Sequence, residues 1–236
     1  MKLKCLSFCL SLIFYSQLNA QSKWLFGLNF SPDICYRQLS NHAGDAMLDD
    51  FIRMRNEREV YRISYSLGLG ARYEINKKLS LESGLYFSDK GFQTTETPIT
   101  TAGQPDGTDD YAFSVYHYLY LEIPIKALIK FPLNDKNSLF CIAGLGNNFY
   151  LGNYTETYLV DNGKTSNLSH NKDNSSQYNP YFVSGLISLG FEHNFNDQFS
   201  MRIEPIYRMG LSSTVDEPIH TRLSSFGLNL GLWIRY

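Results

Sequence analysis

Charged side chains recur in this sequence at positions where charge is costly. Glu82, Glu122, Lys126, Glu192, Arg202, Glu204 and Arg208 each lie inside a segment whose alternate residues are apolar. Charges held away from water need partners, and this set contains both signs. The chemistry open to it is a proton or ion path, or a structural salt-bridge plug. Other reactive groups are sparse. The histidines are His42, His117, His170, His193 and His220. His117 and His193 share the apolar parity of their segments, and no Ser stands beside either at a spacing that would assemble nucleophile, base and orienter. No catalytic residue and no enzyme activity is expected. Asp106, Asp109 and Asp110 lie in one polar stretch, but their spacing matches no EF-hand loop, so neither a metal nor a cofactor is expected.

The elements that must position these charges read as strands. The segments begin with WLFGLNFSPD (24–33) and RISYSLGLGARYEI (62–75), and continue with LSLESGLYFSDKGF (79–92) and YLYLEIPIKALIKF (118–131). SLFCIAGLGNNFYLG (138–152) follows, ambiguous in parity. YFVSGLISLGFEHNF (181–195), FSMRIEPIYRMGL (199–211) and SSFGLNLGLWIRY (224–236) complete the set. Alternation with period two is the strand signature. The 17 Tyr and 16 Phe favour strands over helices. Short connections at 76–78, 132–137 and 196–198 alternate with long polar ones at 34–61, 92–114 and 153–179, and 213–222 is intermediate. Transmembrane barrels have this alternation of short turns and long outer loops.

Residues 1–20 read as a secretory signal peptide: Lys2 and Lys4, then an apolar core, then Leu18-Asn19-Ala20 before Gln21. The mature domain is 21–236. It retains Cys35 and Cys141, whose unlike surroundings suggest buried or lipid-facing thiols. A net charge of -2 argues against nucleic acid as a partner.

The polar faces of the strands hold Gly, Ser and few charges, too few for a solvated surface. The apolar faces are large, with aromatics near strand ends. Both facts fit if the apolar face meets lipid and the polar face fills a lumen. In lipid an open edge leaves backbone groups unpaired, so the strands must close into a barrel. The expectation is therefore all-β: an eight-stranded antiparallel transmembrane β-barrel with short periplasmic turns and long extracellular loops. Side chains just fill such an interior, which favours the plug over the path. Pro124 and Pro205 remove ladder donors, and a bulge or kink is expected at Pro124 and a second at Pro205. Trp24, Tyr73, Tyr181, Tyr207 and Tyr236 suit interfacial girdles, while Trp233 falls on the lumen parity.

In the first long connection Met47, Leu48, Phe51, Ile52 and Met54 fall at helical spacing. A short outer helix is expected, either capping the barrel mouth or binding a partner protein. The other two long connections read as solvated loops.

The ending Ala20-Gln21, the stretches YLEIPI (120–125) and GLYFSDKG (84–91), and the aromatic C-terminus resemble the PorT-like outer-membrane β-barrel proteins of Bacteroidota. The resemblance implies an eight-stranded outer-membrane barrel, and its namesake takes part in protein secretion. The final strand ending in Tyr236 resembles the signal read by barrel-assembly machinery. The expected partners are membrane lipid, that machinery, and other secretion or envelope proteins. Two other readings stay open: a small lipid-modifying membrane enzyme, and a soluble lipocalin-like binder.

Overall fold

The computed structural model of the protein describes residues 23–99, 110–161, 163–173, 178–215 and 218–236. The expected signal peptide, with Asp106 and Asp109, lies outside the described residues. In chain order the elements are β1 (Trp24–Asn41), α1 (Ala46–Arg58), β2 (Glu59–Val60), β3 (Arg62–Glu74), β4 (Leu79–Thr94) and β5 (Thr97–Pro98). They continue with β6 (Tyr111–Pro132), β7 (Asn137–Asp161), β8 (Lys164–Asp173), β9 (Tyr181–Asn194), β10 (Phe199–Gly210) and β11 (Ile219–Arg235).

Eight strands form a closed ring in the order β1, β3, β4, β6, β7, β9, β10, β11, each antiparallel to its neighbours. The first and last strands seal it, in register from Leu25↔Arg235 to Asn41↔Ile219. Strands β2, β5 and β8 lie beyond the ring, paired to the far ends of β4, β6 and β7. The pleat sorts the side chains. Phe26, Leu28, Leu69, Ile125, Ile187 and Leu230 point outward and are exposed, whereas Asn29, Ser66, Glu82, Asn148 and Arg202 point inward and are buried. A soluble barrel would bury the apolar set, so this distribution rules out the lipocalin-like reading. The parity of β7 is ambiguous in sequence because Phe140 and Ile142 on its inner face join Leu128 and Leu186 in an internal apolar cluster.

Three hairpins end in the same local code. Ile75-Asn76-Lys77-Lys78-Leu79-Ser80, Leu133-Asn134-Asp135-Lys136-Asn137-Ser138 and Phe195-Asn196-Asp197-Gln198-Phe199-Ser200 share an Asn at the second place and a Ser at the sixth. Each Asn Oδ1 accepts two backbone N–H bonds, from Lys78 and Leu79 (both 2.9 Å), Lys136 and Asn137 (3.0 and 2.8 Å), or Gln198 and Phe199 (2.9 and 2.7 Å). Such side-chain acceptors replace the ladder where the chain must reverse. Each Ser starts the return strand facing inward and buried.

Two expectations fail. The segments 34–41, 111–114, 153–161 and 164–173 are not open loop: β1, β6 and β7 run on through the first three, and β8 folds back on β7. Outside lipid there is no apolar alternation to reveal these strands, but Tyr154, Thr155, Thr157, Tyr158 and Val160 have the β-branched and aromatic character that suits a ladder. Of the bulge or kink expected at the prolines, the bulge is absent. Pro124 pairs with Gly146 and Pro205 with Leu228 in unbroken register. On their other sides the pairing lapses and resumes unshifted, at Ile125↔Ser83 and Glu122↔Tyr86 for the first, and at Ile203↔Phe191 and Ile206↔Ser188 for the second. Losing one donor interrupts a ladder without inserting a residue. The register does shift between Leu119 and Tyr120, beside Gly152, whose φ of 155° only glycine adopts readily.

Candidate functional site

All seven charges singled out in the sequence face the lumen and are buried. Toward the short-turn rim, Glu82 lies among three cations: Arg72 Nε at 2.8 Å, Arg202 Nη1 at 2.7 Å and Lys126 Nζ at 3.2 Å. Glu192 takes Arg72 Nη1 at 2.7 Å and Lys130 Nζ at 2.5 Å. Glu204 accepts from Arg202 Nη2 at 3.3 Å, Ser188 Oγ at 2.6 Å and Asn229 Nδ2 at 3.2 Å. Trp233, 0% exposed, lies beside this cluster with the guanidinium carbons of Arg72 and Arg202 at 4.5 and 5.3 Å from its ring. Gly27, Gly70 and Gly231 make the slot it occupies, since a Cβ at any of them would collide with the indole.

Farther up the lumen, Lys90 Nζ donates to Asn148 Oδ1 at 3.0 Å and to Glu122 Oε2 at 3.3 Å. Arg208 Nη1 meets Asp33 Oδ1 at 3.1 Å, and Asp33 also accepts from Ser31 and Ser66 at 2.6 and 2.7 Å. Among the described residues the buried lumen carboxylates Asp33, Glu82, Glu122, Glu192 and Glu204 thus face the buried cations Arg72, Lys90, Lys126, Arg202 and Arg208, five against five, with Lys130 at the rim as a further, partly exposed cation. The cavity between Ser66, Tyr86, Glu122 and Arg208 measures about 10 Å³, room for roughly one water. Above it Phe92, Tyr118, Tyr120, Phe182 and Leu223 close the mouth. The Arg37 guanidinium covers Phe92 at 4.2 Å and pairs with Glu59, which also binds Arg55 Nε at 2.9 Å. Asp33, Arg72 and Lys90 were not singled out in the sequence, although each stands on the polar parity of its strand, and Trp233 lies on the lumen side as its parity predicts.

Helix α1 forms where its spacing predicts. The Asp45 side chain accepts from Met47 N at 2.9 Å at its start. None of its residues is buried, and Met47, Phe51 and Met54 present an exposed stripe, with Met47 at 78%. Leu48 and Ile52 on the adjacent face are half-buried. The aromatic cluster, rather than the helix, fills the mouth.

The histidines lie near the two rims. His193 Nδ1 meets Asn137 Oδ1 at 2.7 Å beside a short turn. His42 and His220 stack at 4.0 Å near the long-strand rim. His117 belongs to a cluster on the outer wall at that rim. Its Nδ1 bonds Asp89 Oδ2 at 2.9 Å, and a carboxylate only accepts, so Nδ1 carries the proton. Its Nε2 lies 3.7 Å from Glu156 Oε2, and Glu156 Oε1 lies 3.5 Å from His170 Nδ1. The Tyr158 hydroxyl donates to Glu156 at 2.6 Å, and that bond is the main cause holding its carboxyl below the usual range. Cys35 is buried and Cys141 half-buried, both free thiols.

The family model described as "Outer membrane protein beta-barrel domain" matches residues 15–216. No curated protein matches the sequence. Among solved structures, the neisserial surface protein NspA superposes with a TM-score of 0.46 at 10% identity, covering 92% of this chain and 100% of that one. Ail, the attachment invasion locus protein of Yersinia pestis, gives 0.35 at 12% identity, with coverages of 91% and 99%. OprG from Pseudomonas aeruginosa gives 0.37 at 11%, with coverages of 92% and 99%. With most of its length matched, the chain belongs to the outer-membrane β-barrel domain family.

Proposed function

We propose that this outer-membrane protein is a non-enzymatic, non-conducting barrel that acts as an interaction component of the envelope, within a secretion or assembly complex of the PorT-like kind. The observation that carries this reading is the balanced ion-pair network filling the lumen beneath an aromatic plug. A filled lumen leaves the outer rim to do the work, and rigid scaffolds commonly present function on their connections. There the helix α1 exposes Met47, Phe51 and Met54 beside the ring. The apolar outer wall meets membrane lipid, and the terminal strand ending in Tyr236 is the segment offered to barrel-assembly machinery.

A second reading, a lipid-modifying enzyme, is favoured by one feature, the Asp89–His117 pair, which is the base-and-orienter half of a hydrolytic site. Its Nε2 is buried, and among the described residues no hydroxyl lies within hydrogen-bond distance of it to act as the nucleophile.

Two measurements test the proposal. The purified barrel in planar bilayers is expected to show no unitary conductance. A photo-crosslinker at Phe51 in intact cells is expected to give one discrete envelope-protein adduct, lost when Met47 and Met54 are both changed to Ser. Steady conductance, or turnover of a lipid ester abolished by His117→Ala, would overturn it.

A further inference from the structure

We propose that a cleft in the outer wall at the extracellular rim binds a saccharide, supplied as the sugar headgroup of an outer-leaflet glycolipid. The cleft exists because β3 leaves β4 early. Their ladder ends at Tyr65↔Asp89, and the next pair on that side is Val60↔Gln93 through β2. In the ladders residues 62–64 pair only with β1, and Tyr61 lies between β2 and β3. Arg62 spans the breach, with its Nη2 and Nη1 at 2.6 and 3.1 Å from Asp89 and Nη1 at 3.0 Å from the Tyr116 carbonyl. Gly91, with φ of 148°, permits this, since a Cβ there would strike that same carbonyl.

The result is a cleft of about 360 Å³ lined by Tyr61, Ile63, Gln93, His117, Glu156 and Tyr158. That is near the lower end of small-ligand sites, which run from roughly 300 to 1,000 Å³. Its polar wall is held rigidly. Asp89 has the outward parity of its strand, yet is only 4% exposed, neutralised by Arg62 and bonded to His117. Nothing in the lumen network uses this pair. The imidazole is thereby fixed, and Glu156 is fixed by Tyr158 and faced by both His117 and His170.

The wall fits sugar chemistry. Tyr61, 63% exposed, and Tyr158 offer aromatic surface for the C–H face of a pyranose. The Glu156 carboxylate and the Gln93 amide offer planar groups for adjacent hydroxyls, while the buried His117 ring backs Glu156 at 3.7 Å. Arg62 is already committed to Asp89, so the cleft presents a carboxylate and no free guanidinium, which disfavours a phosphate. Position indicates the source. Ile63, 79% exposed, borders the cleft, and Tyr65 and Leu67 continue the exposed apolar wall below it. The cleft therefore opens one step above the acyl chains, at the level of headgroup sugars.

The test uses the full barrel in nanodiscs and two probes, intact lipopolysaccharide and its delipidated core oligosaccharide, with affinities read by calorimetry. Tyr61→Ala removes an exposed side chain outside the β3–β4 ladder, and Glu156→Gln keeps shape while removing charge. Heat-modifiable mobility checks that each variant is closed. Both probes are expected to bind wild type, and each variant to weaken binding about tenfold, a change of about 1.4 kcal/mol. Tighter binding of the intact lipid assigns the glycolipid as source, and equal affinity assigns a free saccharide to the same cleft. Failure of both probes to bind, or binding kept within about threefold in a closed Tyr61→Ala barrel, would overturn the proposal.

Discussion

Glu82→Gln is the most informative single perturbation of the lumen. The side chain keeps its volume and loses its charge. Before the change Glu82, Glu192 and Glu204 face Arg72, Lys126, Lys130 and Arg202. Afterwards two carboxylates face four cations. Arg72 keeps Glu192 at 2.7 Å and Arg202 keeps Glu204 at 3.3 Å, but Lys126 loses the one carboxylate that lies within ion-pair distance of it among the described residues. Removing one partner of a buried pair costs about 3–5 kcal/mol, because the other charge stays buried without compensation. Lys130→Met is the control. Its ammonium sits at the rim, partly in water, where an ion pair contributes about 1 kcal/mol or less. Urea unfolding of the barrel from lipid vesicles, followed by Trp fluorescence and by heat-modifiable mobility, measures both. Adding Lys126→Met to Glu82→Gln removes the stranded cation and should return at least about 1 kcal/mol as coupling between touching sites. If Glu82→Gln costs no more than Lys130→Met, or the double variant recovers nothing, the lumen is wet enough to solvate its charges and the reasoning fails.

Gly70→Val should destabilise by about 1–3 kcal/mol through overpacking, because its new Cβ meets the Trp233 ring at 2.7 Å, and Trp233→Phe in the same chain should relieve part of that in the same unfolding assay. Asn134→Ala removes the acceptor for two backbone donors and should cost about 1 kcal/mol, read as a lower urea midpoint. Glu156 titrates below its ordinary range, mainly because Tyr158 donates to it, with His117 and His170 adding to the effect. Its stabilisation is therefore complete above its unfolded value near about 4.3 and disappears as pH falls through the lower folded value. The contribution of Glu156 to core-oligosaccharide affinity should survive through the ordinary carboxylate range and be lost only below it, as checked by calorimetry across an acid series.

Much of the ring was legible because lipid enforces a rule on every residue of a strand. Leu67, Leu69 and Ala71 alternate with Ser66, Gly68 and Gly70, and the parity alone places Glu82, Lys126 and Arg202 inside. Outside the membrane that rule lapses, so β8, the first residues of β6 (111–114) and the last of β7 (153–161) read as loop despite their Tyr and Thr content. Pro124 misled for a different reason. A missing N–H predicts a local defect but not its form, and a skipped bond is cheaper than an inserted residue when both flanking registers are fixed by lumen contacts. The Asp89–His117–Glu156 cluster was out of reach, since its members lie on three strands and meet through the register of the β4–β6 and β6–β7 ladders.

The single seam between β1 and β11 has a kinetic consequence. Every other ladder of the ring joins strands that follow one another along the chain, so those hairpins form from local encounters. The seam joins Leu25 to Arg235, the two ends of the domain, and loop-closure entropy makes such a long-range encounter slow. Until it forms, the nascent sheet has two raw edges in a solvent that cannot hydrogen-bond them. Maturation should therefore pause in a hairpin-rich open sheet. Substitutions along β1 and β11 would then set how long that pause lasts, while substitutions in the three Asn turns set how quickly it is reached.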